Sequence, residues 1–156
     1  GGQEMRFRSG TENVAAIVAM AKALRLAMER CEREIDRLRA LKEEWLTALS
    51  AIPDIEINTP RDGAAPHIIN FSFKRGMKPE VFVHELAKNG IYVSTTSACS
   101  SKKKAPSKTL LAMGLGEGRA ERGIRISLSF DNTSEEIAPA VAAMKQAIKT
   151  LSEVTG

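Results

Sequence analysis

Cys99 is the residue of this 156-residue chain whose neighbours most favour chemistry. It lies in the run Ser94–Ser101, which contains only serine, threonine, alanine and the cysteine itself, and three lysines follow at 102–104. Nearby ammonium groups favour the thiolate, which is the nucleophilic form of cysteine. The pattern is typical of a reactive thiol on a polar loop. An incidental loop thiol is the alternative of equal weight.

Cys31 has the opposite setting, because it falls on the apolar face of a predicted helix. This position predicts a small buried core residue. Two cysteines so far apart predict neither a disulfide framework nor a metal site, and reduced thiols are typical of a cytoplasmic protein. No apolar run approaches the roughly 20 residues that a membrane helix needs, and the polar N-terminus shows no signal peptide. We therefore expect a cytoplasmic protein without a metal and without membrane contact.

The composition is that of an ordinary globular domain, with 43% apolar and 27% charged residues. The length predicts a single domain over residues 1–156 that can bury a core without metal or disulfide support. The formal net charge is only +4, and the aromatic residues number five Phe, one Tyr and one Trp. Several of these aromatic residues lie on predicted core faces, so few remain that could stack on bases, and no nucleic-acid partner is expected.

A long amphipathic helix is predicted over residues 14–52, with Thr11 as a candidate N-cap and Pro53 as the stop. Because this span is long for one globular helix, we expect a bend or break around Leu26 to Glu29. Charged residues separate the apolar positions, which recur at steps of three, four or seven. These positions are Leu24, Met28, Cys31, Ile35, Leu38, Trp45, Leu49 and Ile52.

Short alternating segments and short helices follow the long helix. The fold class that they predict is α/β (α+β): a small, mostly antiparallel sheet covered by helices on one side. Strands are predicted at 54–58, 67–73, 91–93 and 123–130, and helices at 80–88, 110–113 (capped by Ser107) and 134–153.

The cysteine-bearing run Ser94–Ser101 resembles the active-cysteine loop of the pyridoxal-phosphate-dependent cysteine desulfurases. These enzymes belong to the class V aminotransferase group of the fold-type I enzymes. One departure is Thr96, where many members carry glycine. The resemblance recurs in chain order in Gly1–Glu4 (GGQE), Arg8–Asn13 (RSGTEN), Pro66–Asn70 (PHIIN), Leu110–Gly114 (LLAMG) and Ile124–Leu128 (IRISL).

The resemblance implies the C-terminal small domain of such an enzyme. Residues 1–13 would then reach the cofactor site, 14–52 would form the long helix, and 53–156 would form an α/β sandwich with a cysteine loop at 94–108. It also implies pyridoxal 5'-phosphate as the cofactor, a homodimer in the full-length enzyme, and a supply of sulfur for iron–sulfur cluster or thio-cofactor assembly. The implied partners are L-cysteine and a sulfur-acceptor or iron–sulfur scaffold protein.

Three site residues are implied by matching the motifs. Cys99 would attack the substrate sulfur and hold it as a persulfide. Arg125 would bind the substrate α-carboxylate, and Thr11 would donate to the cofactor phosphate, often that of the neighbouring subunit. Without the resemblance, Arg125 is a solvent-facing strand residue and Thr11 a plain helix cap.

The lysine that holds the cofactor in this family follows a histidine, and this chain has no such pair. His67 precedes Ile68 and His84 precedes Glu85. The chain therefore resembles only the C-terminal portion of a desulfurase, whether an excised piece, a proteolytic remnant or half of a split enzyme, and alone it is expected to be inactive. The alternative is a non-catalytic interaction or sulfur-acceptor module with the same fold. The lysines at 102–104 are either a solvated loop or a steering patch for an acidic acceptor.

Overall fold

The computed structural model describes residues 2–74, 76–95 and 105–155. The chain divides into two compact units, which we call the N-terminal unit (residues 1–35) and the sheet unit (residues 36–156). The first helix, α1 (Val14–Ser50), begins in the N-terminal unit and ends in the sheet unit. No helix in the described part of the chain is both long and apolar enough to cross a membrane.

The N-terminal unit contains a 3-10 helix (Gln3–Arg6) and the first half of α1. The α1 N-terminus is capped by Asn13, whose side-chain oxygen accepts the backbone N–H of Ala16 at 3.1 Å. The prediction that Thr11 caps this helix is wrong. Thr11 precedes the first helical residue by three positions, whereas Asn13 occupies the N-cap position directly before Val14.

Helix α1 runs without interruption through Leu26 and Glu29, so the predicted break there is wrong. Neither glycine nor proline occurs between Val14 and Ser50, and the segment is rich in strong helix formers. Of two salt bridges between residues one turn apart, Arg25–Glu29 at 3.4 Å spans the expected break and Arg30–Glu34 at 3.0 Å directly follows it.

The apolar stripe of α1 is buried only in its second half. Cys31 is exposed, so the prediction of a buried core cysteine is wrong. In the first half of α1, which contains Cys31, Leu24 and Met28 are also exposed, by 62% and 57%. The buried residues of the second half are Leu38, Leu41, Lys42, Trp45, Leu46 and Leu49.

Four antiparallel strands form the sheet in the order β1-β2-β4-β3, which confirms the predicted fold class. The strand predicted at 91–93 is instead a two-residue strand that starts at Ser94, and the last strand ends at Ser127 rather than at Phe130. The strands are β1 (Ile55–Ile57), β2 (Ile68–Phe73), β3 (Ser94–Thr95) and β4 (Gly123–Ser127).

The apolar face of the sheet carries the core, in which α2 (Pro79–Lys88), α5 (Ile137–Thr155) and the second half of α1 take part. Phe71, Phe73 and Phe82 pack edge to face, with ring centroids 4.9–6.5 Å apart. These helices lie on one side of the sheet, as the sequence predicts.

Two short helices, α3 (Lys108–Ala112) and α4 (Glu117–Glu121), contact the other face, so the predicted one-sided cover holds for the three longer helices and not for these two. Ser107 caps α3 as predicted, and α4 was not predicted. The hydroxyl of Ser72 donates to the backbone oxygen of Arg119 at 2.8 Å. A Cβ atom on Gly123 would lie only 2.8 Å from a methyl carbon of Leu110, so that side chain occupies the space above the glycine.

Candidate functional site

Arg125 lies at the centre of β4, between β2 on one side and β3 on the other. Its neighbours Ile124 and Ile126 are buried on the apolar face, so Arg125 extends from the opposite face, where it is exposed. Its guanidinium makes no hydrogen bond or ion pair with any other described residue. The predicted solvent-facing strand position is confirmed, and the side chain has donors to offer to a ligand.

Asn70 on β2 and Ser94 on β3 lie directly opposite Arg125 and on the same face. The backbone N–H of Asn70 donates to the Thr59 hydroxyl at 2.6 Å, and its carbonyl accepts the N–H of Asn58 at 2.8 Å. Both backbone groups of Asn70 are thus directed away from β4. Asn70 and Arg125 therefore form a non-hydrogen-bonded pair, the kind with Cα atoms only about 4.5 Å apart and the closer side chains.

A polar network holds the Asn70 side chain from the β1 side. Asn58, only 6% exposed, donates from Nδ2 to Asn70 Oδ1 at 2.7 Å and to Ser72 Oγ at 2.6 Å. Its Oδ1 accepts from Nε of Arg119 at 2.6 Å. Arg119 is held in turn by the carbonyl of Ile57 at 2.7 Å. Sequence reasoning missed this network, and polar residues at alternate positions of a predicted strand (70 and 72) were its only signal.

Cys99 lies outside the described residues, within the segment 96–104. The segment follows Thr95, the last residue of β3, and Ser94 of that strand pairs with Arg125. The chain is described again from Ala105, just before the Ser107 cap of α3. Strand β3, which leads to the cysteine segment, therefore pairs directly with β4, the strand that carries Arg125.

Thr11 belongs to the N-terminal unit, whereas Arg125 belongs to the sheet unit. Thr11 is exposed, and its carbonyl accepts a hydrogen bond from the guanidinium of Arg8 at 2.6 Å. A hydroxyl donor and a cationic side chain thus lie together just before the N-terminus of α1. This donor set suits a phosphate. In the described part of the chain, no group of His, Cys, Asp or Glu side chains could hold a metal ion.

The family model described as aminotransferase class-V matches residues 1–139 of the chain. A curated relative, the NifS/IcsS protein homolog of Lactobacillus delbrueckii subsp. bulgaricus, is 42% identical over 155 residues. Cysteine desulfurase IscS of Clostridium botulinum is 38% identical over 158 residues. Each match covers 99% of this chain and 40% of the relative, so the chain spans about two fifths of the length of these proteins.

Solved structures give the same result for the fold. A NifS-like protein matches with a TM-score of 0.78 and 30% identity, over 96% of this chain and 38% of that one. The NifS-like protein from Rickettsia africae matches equally well, with a TM-score of 0.78 and 28% identity over the same shares of the two chains. The architecture described above is therefore that of a part of the NifS-like proteins.

Proposed function

Because this chain belongs to the aminotransferase class-V family, we propose that it is the cysteine-bearing, C-terminal portion of a pyridoxal-phosphate-dependent cysteine desulfurase. Such an enzyme would take sulfur from L-cysteine, release alanine, and supply iron–sulfur cluster or thio-cofactor assembly. The observation that carries the proposal is the placement of Arg125. Its exposed guanidinium lies beside the strand that leads to Cys99.

Arg125 would bind the α-carboxylate of L-cysteine. A planar guanidinium meets a carboxylate in a pair of parallel charge-assisted hydrogen bonds. Since the guanidinium has no partner among the described residues, the carboxylate does not have to displace an internal ion pair. Binding through the carboxylate would leave the substrate side chain free to face the nucleophile.

Cys99 would act as that nucleophile. It follows Ser94, the residue opposite Arg125, by five positions in the chain. A chain of five residues limits the distance between the Cα atoms of Ser94 and Cys99 to about 18 Å. In the proposed step the thiolate forms a bond to the substrate sulfur as the carbon–sulfur bond breaks. The bonding pair stays with the carbon fragment, which takes up a proton and leaves as alanine, and the sulfur remains as a persulfide.

The cofactor would be held only in part by this chain. Thr11 and Arg8 fit the phosphate, because together they offer a hydroxyl donor and a positive charge. Pyridoxal phosphate, when bound, supplies the electron sink for cleavage of the carbon–sulfur bond. Neither His67 nor His84 is followed by a lysine, so the covalent attachment would be supplied by another part of the enzyme.

The partners and setting of the whole enzyme also belong to the proposal. We propose a cytoplasmic homodimer that passes its sulfur to an acceptor or iron–sulfur scaffold protein. The lysines at 102–104 and Lys108 form a cationic stretch of sequence that would favour encounter with an acidic acceptor.

The proposal is tested with a chimera in which this chain replaces the matching portion of the Lactobacillus delbrueckii relative. We expect the chimera to release alanine and sulfide from L-cysteine in the presence of a thiol reductant. Cys99→Ala should abolish sulfide release while the cofactor absorbance and its response to L-cysteine persist, because the thiol takes part only in breaking the carbon–sulfur bond. Cys31→Ala is the matched control and should keep full activity. A Cys99→Ala chimera with normal sulfide release would overturn the assignment of the nucleophile.

A further inference from the structure

We propose that the side-chain amide of Asn70 is a second donor to the substrate carboxylate, beside Arg125, and that Asn58 and Arg119 orient it. This inference rests on the proposed function, because it takes the ligand of Arg125 to be a carboxylate. It concerns a residue to which neither the sequence pattern nor the family resemblance assigns a role.

The orientation begins at Arg119, because a guanidinium can only donate hydrogen bonds. Its Nε lies 2.6 Å from one terminal side-chain atom of Asn58, and that atom must therefore be the oxygen. An amide group has one oxygen and one nitrogen, so the other terminal atom of Asn58 is the nitrogen. Arg119 thus decides which way round the buried Asn58 amide lies.

The orientation of the Asn58 amide in turn fixes the orientation of the Asn70 amide. With its nitrogen on the side of β2, Asn58 donates one hydrogen to Ser72 Oγ and the other to a terminal atom of Asn70 at 2.7 Å. That atom of Asn70 must accept, so it is Oδ1. The Ser72 hydroxyl gives its own hydrogen to the backbone oxygen of Arg119, which leaves it an acceptor for Asn58. Every hydrogen bond in the ring then has one donor and one acceptor.

The remaining side-chain atom of Asn70 is Nδ2, and it donates to no described residue. Asn70 is only partly buried, and no fully buried side-chain nitrogen of the described residues lacks a hydrogen-bond partner, so the unpartnered Nδ2 keeps some solvent exposure. Asn70 and Arg125 share one face of the sheet. A charged donor and a neutral donor therefore lie side by side on adjacent strands, in the pair type that brings side chains closest. A carboxylate has two oxygens with about four acceptor sites and can use both donors at once.

An amide suits this position better than a carboxyl group would. An aspartate at position 70 would pair with Arg125 and occupy the donors meant for the ligand. The neutral amide adds a donor without competing for the guanidinium. We therefore expect Asn70 to increase the affinity for carboxylates and to have no effect on ligands that lack one.

The test uses the full 156-residue chain, labelled with ¹⁵N, and follows side-chain signals by NMR. L-alanine, the proposed product, is titrated at constant ionic strength, and L-alaninamide serves as the probe that keeps the ammonium group but lacks the carboxylate. We expect L-alanine to shift the Asn70 Nδ2 and the Arg125 Nε signals along one saturation curve, whereas L-alaninamide moves neither. The Asn89 amide, on the C-cap of α2, is the internal reference that should not move.

Variants separate a ligand contact from a merely structural role. Asn70→Ala should weaken L-alanine binding about tenfold, which corresponds to about 1.4 kcal/mol. Asn58→Asp keeps the acceptor for Arg119 but removes both donors, so Asn70 should turn its nitrogen toward position 58 and lose affinity to a similar extent. Ser127→Ala, on the same face of β4, is the matched control and should bind L-alanine like the unchanged chain.

The outcomes distinguish the inference from the function on which it rests. If the Arg125 signal shifts but the Asn70 amide does not, the inference is wrong and the carboxylate role of Arg125 stands. If neither signal responds to L-alanine, both are wrong. If L-alaninamide shifts the Asn70 amide as strongly as L-alanine does, the amide responds to something other than the carboxylate and the inference is again wrong. These signals come from the unchanged chain, so the test does not depend on the folding of any variant.

Discussion

The two halves of α1 have the same apolar spacing and opposite surroundings. In the first half Val14, Leu24 and Met28 are exposed, and in the second half Leu38, Trp45 and Leu49 are buried. Apolar residues recur at three- and four-residue steps throughout the helix. Periodicity therefore defines which side chains share a face, and other elements decide whether that face is covered.

The elements available to each half explain the difference. The described part of the N-terminal unit contains only the 3-10 helix and α1 itself, and a helix needs a second layer to bury its apolar stripe. The second half of α1 has that layer, because the sheet, α2 and α5 contribute to one core with it. The apolar spacing is equally regular in both halves, so it cannot show which half of the helix is buried.

The largest expected effect comes from truncating one leucine in each half. Leu49 is fully buried and Leu24 is 62% exposed. Leu49→Ala should lower the free energy of unfolding by about 3 kcal/mol, because it leaves a cavity in the core. Leu24→Ala should change it by less than about 0.5 kcal/mol. Urea unfolding followed by tryptophan fluorescence measures both, and equal losses would show that the stripe is buried along its whole length.

A smaller effect is expected from removing the helix cap in the exposed half. Asn13→Ala deletes the acceptor for the Ala16 N–H, which should cost about 1 kcal/mol of local helix stability. The loss should appear as faster amide hydrogen exchange over the first turns of α1. Exchange in the buried half, around Trp45, should not change, because the first turns of the helix contribute nothing to that core. Accelerated exchange at both ends would mean that the helix frays as one cooperative unit.

The smallest effect concerns two lysines on the same helix, Lys42 in the buried half and Lys22 in the exposed half. Burial lowers the pKa of Lys42 below its usual value of 10.5, partly opposed by the charge of Glu43. The unfolded chain then binds this proton more tightly than the folded one, so unfolding takes up a proton. Stability should therefore rise with pH between the lowered pKa and 10.5.

Lys42→Met should remove this part of the pH dependence, and Lys22→Met should keep it. Urea unfolding of the three proteins at several values between pH 7 and pH 10.5 gives the comparison. The hydrogen bond from Lys42 to the carbonyl of Ala65, 2.9 Å long, is lost at every pH and shifts the whole curve rather than its slope. An unchanged slope in Lys42→Met would show that the ammonium group is as well hydrated in the folded chain as in the unfolded one.

The sequence predicts best those elements whose signals are local. Alternation predicts β1 and β2, the proline at the helix start predicts α2, and the Ser107 hydroxyl predicts the start of α3. Helix α4 has only five residues, too few to show a helical period. The expected break in α1 is wrong because helix length alone does not interrupt a helix, and this segment contains no glycine or proline that would.

The candidate site is predictable only in part, because some of its signals are local and others depend on residues distant in the sequence. Arg125 alternates with isoleucines, so its exposed face of β4 follows from the pattern. Its neighbour Asn70 depends on the register between β2 and β4, and the orientation of that amide depends on Arg119, 49 residues farther along the chain. Cys31 shows the converse error: the apolar spacing predicts burial, but the described part of the N-terminal unit leaves that side chain exposed.

The close approach of Leu110 to Gly123 means that both described flanks of the cysteine segment contact one strand. On one flank Ser94 and Thr95 pair with Arg125 and Ile124, and on the other flank the Leu110 methyl group lies over Gly123. The two flanks therefore contact adjacent residues of β4. A Cβ atom at position 123 would lie only 2.8 Å from the Leu110 methyl carbon, so any residue other than glycine there would push α3 outward. The flank on β3 pairs through its backbone and would keep its position, so a single substitution at position 123 would move one flank of the cysteine segment relative to the other.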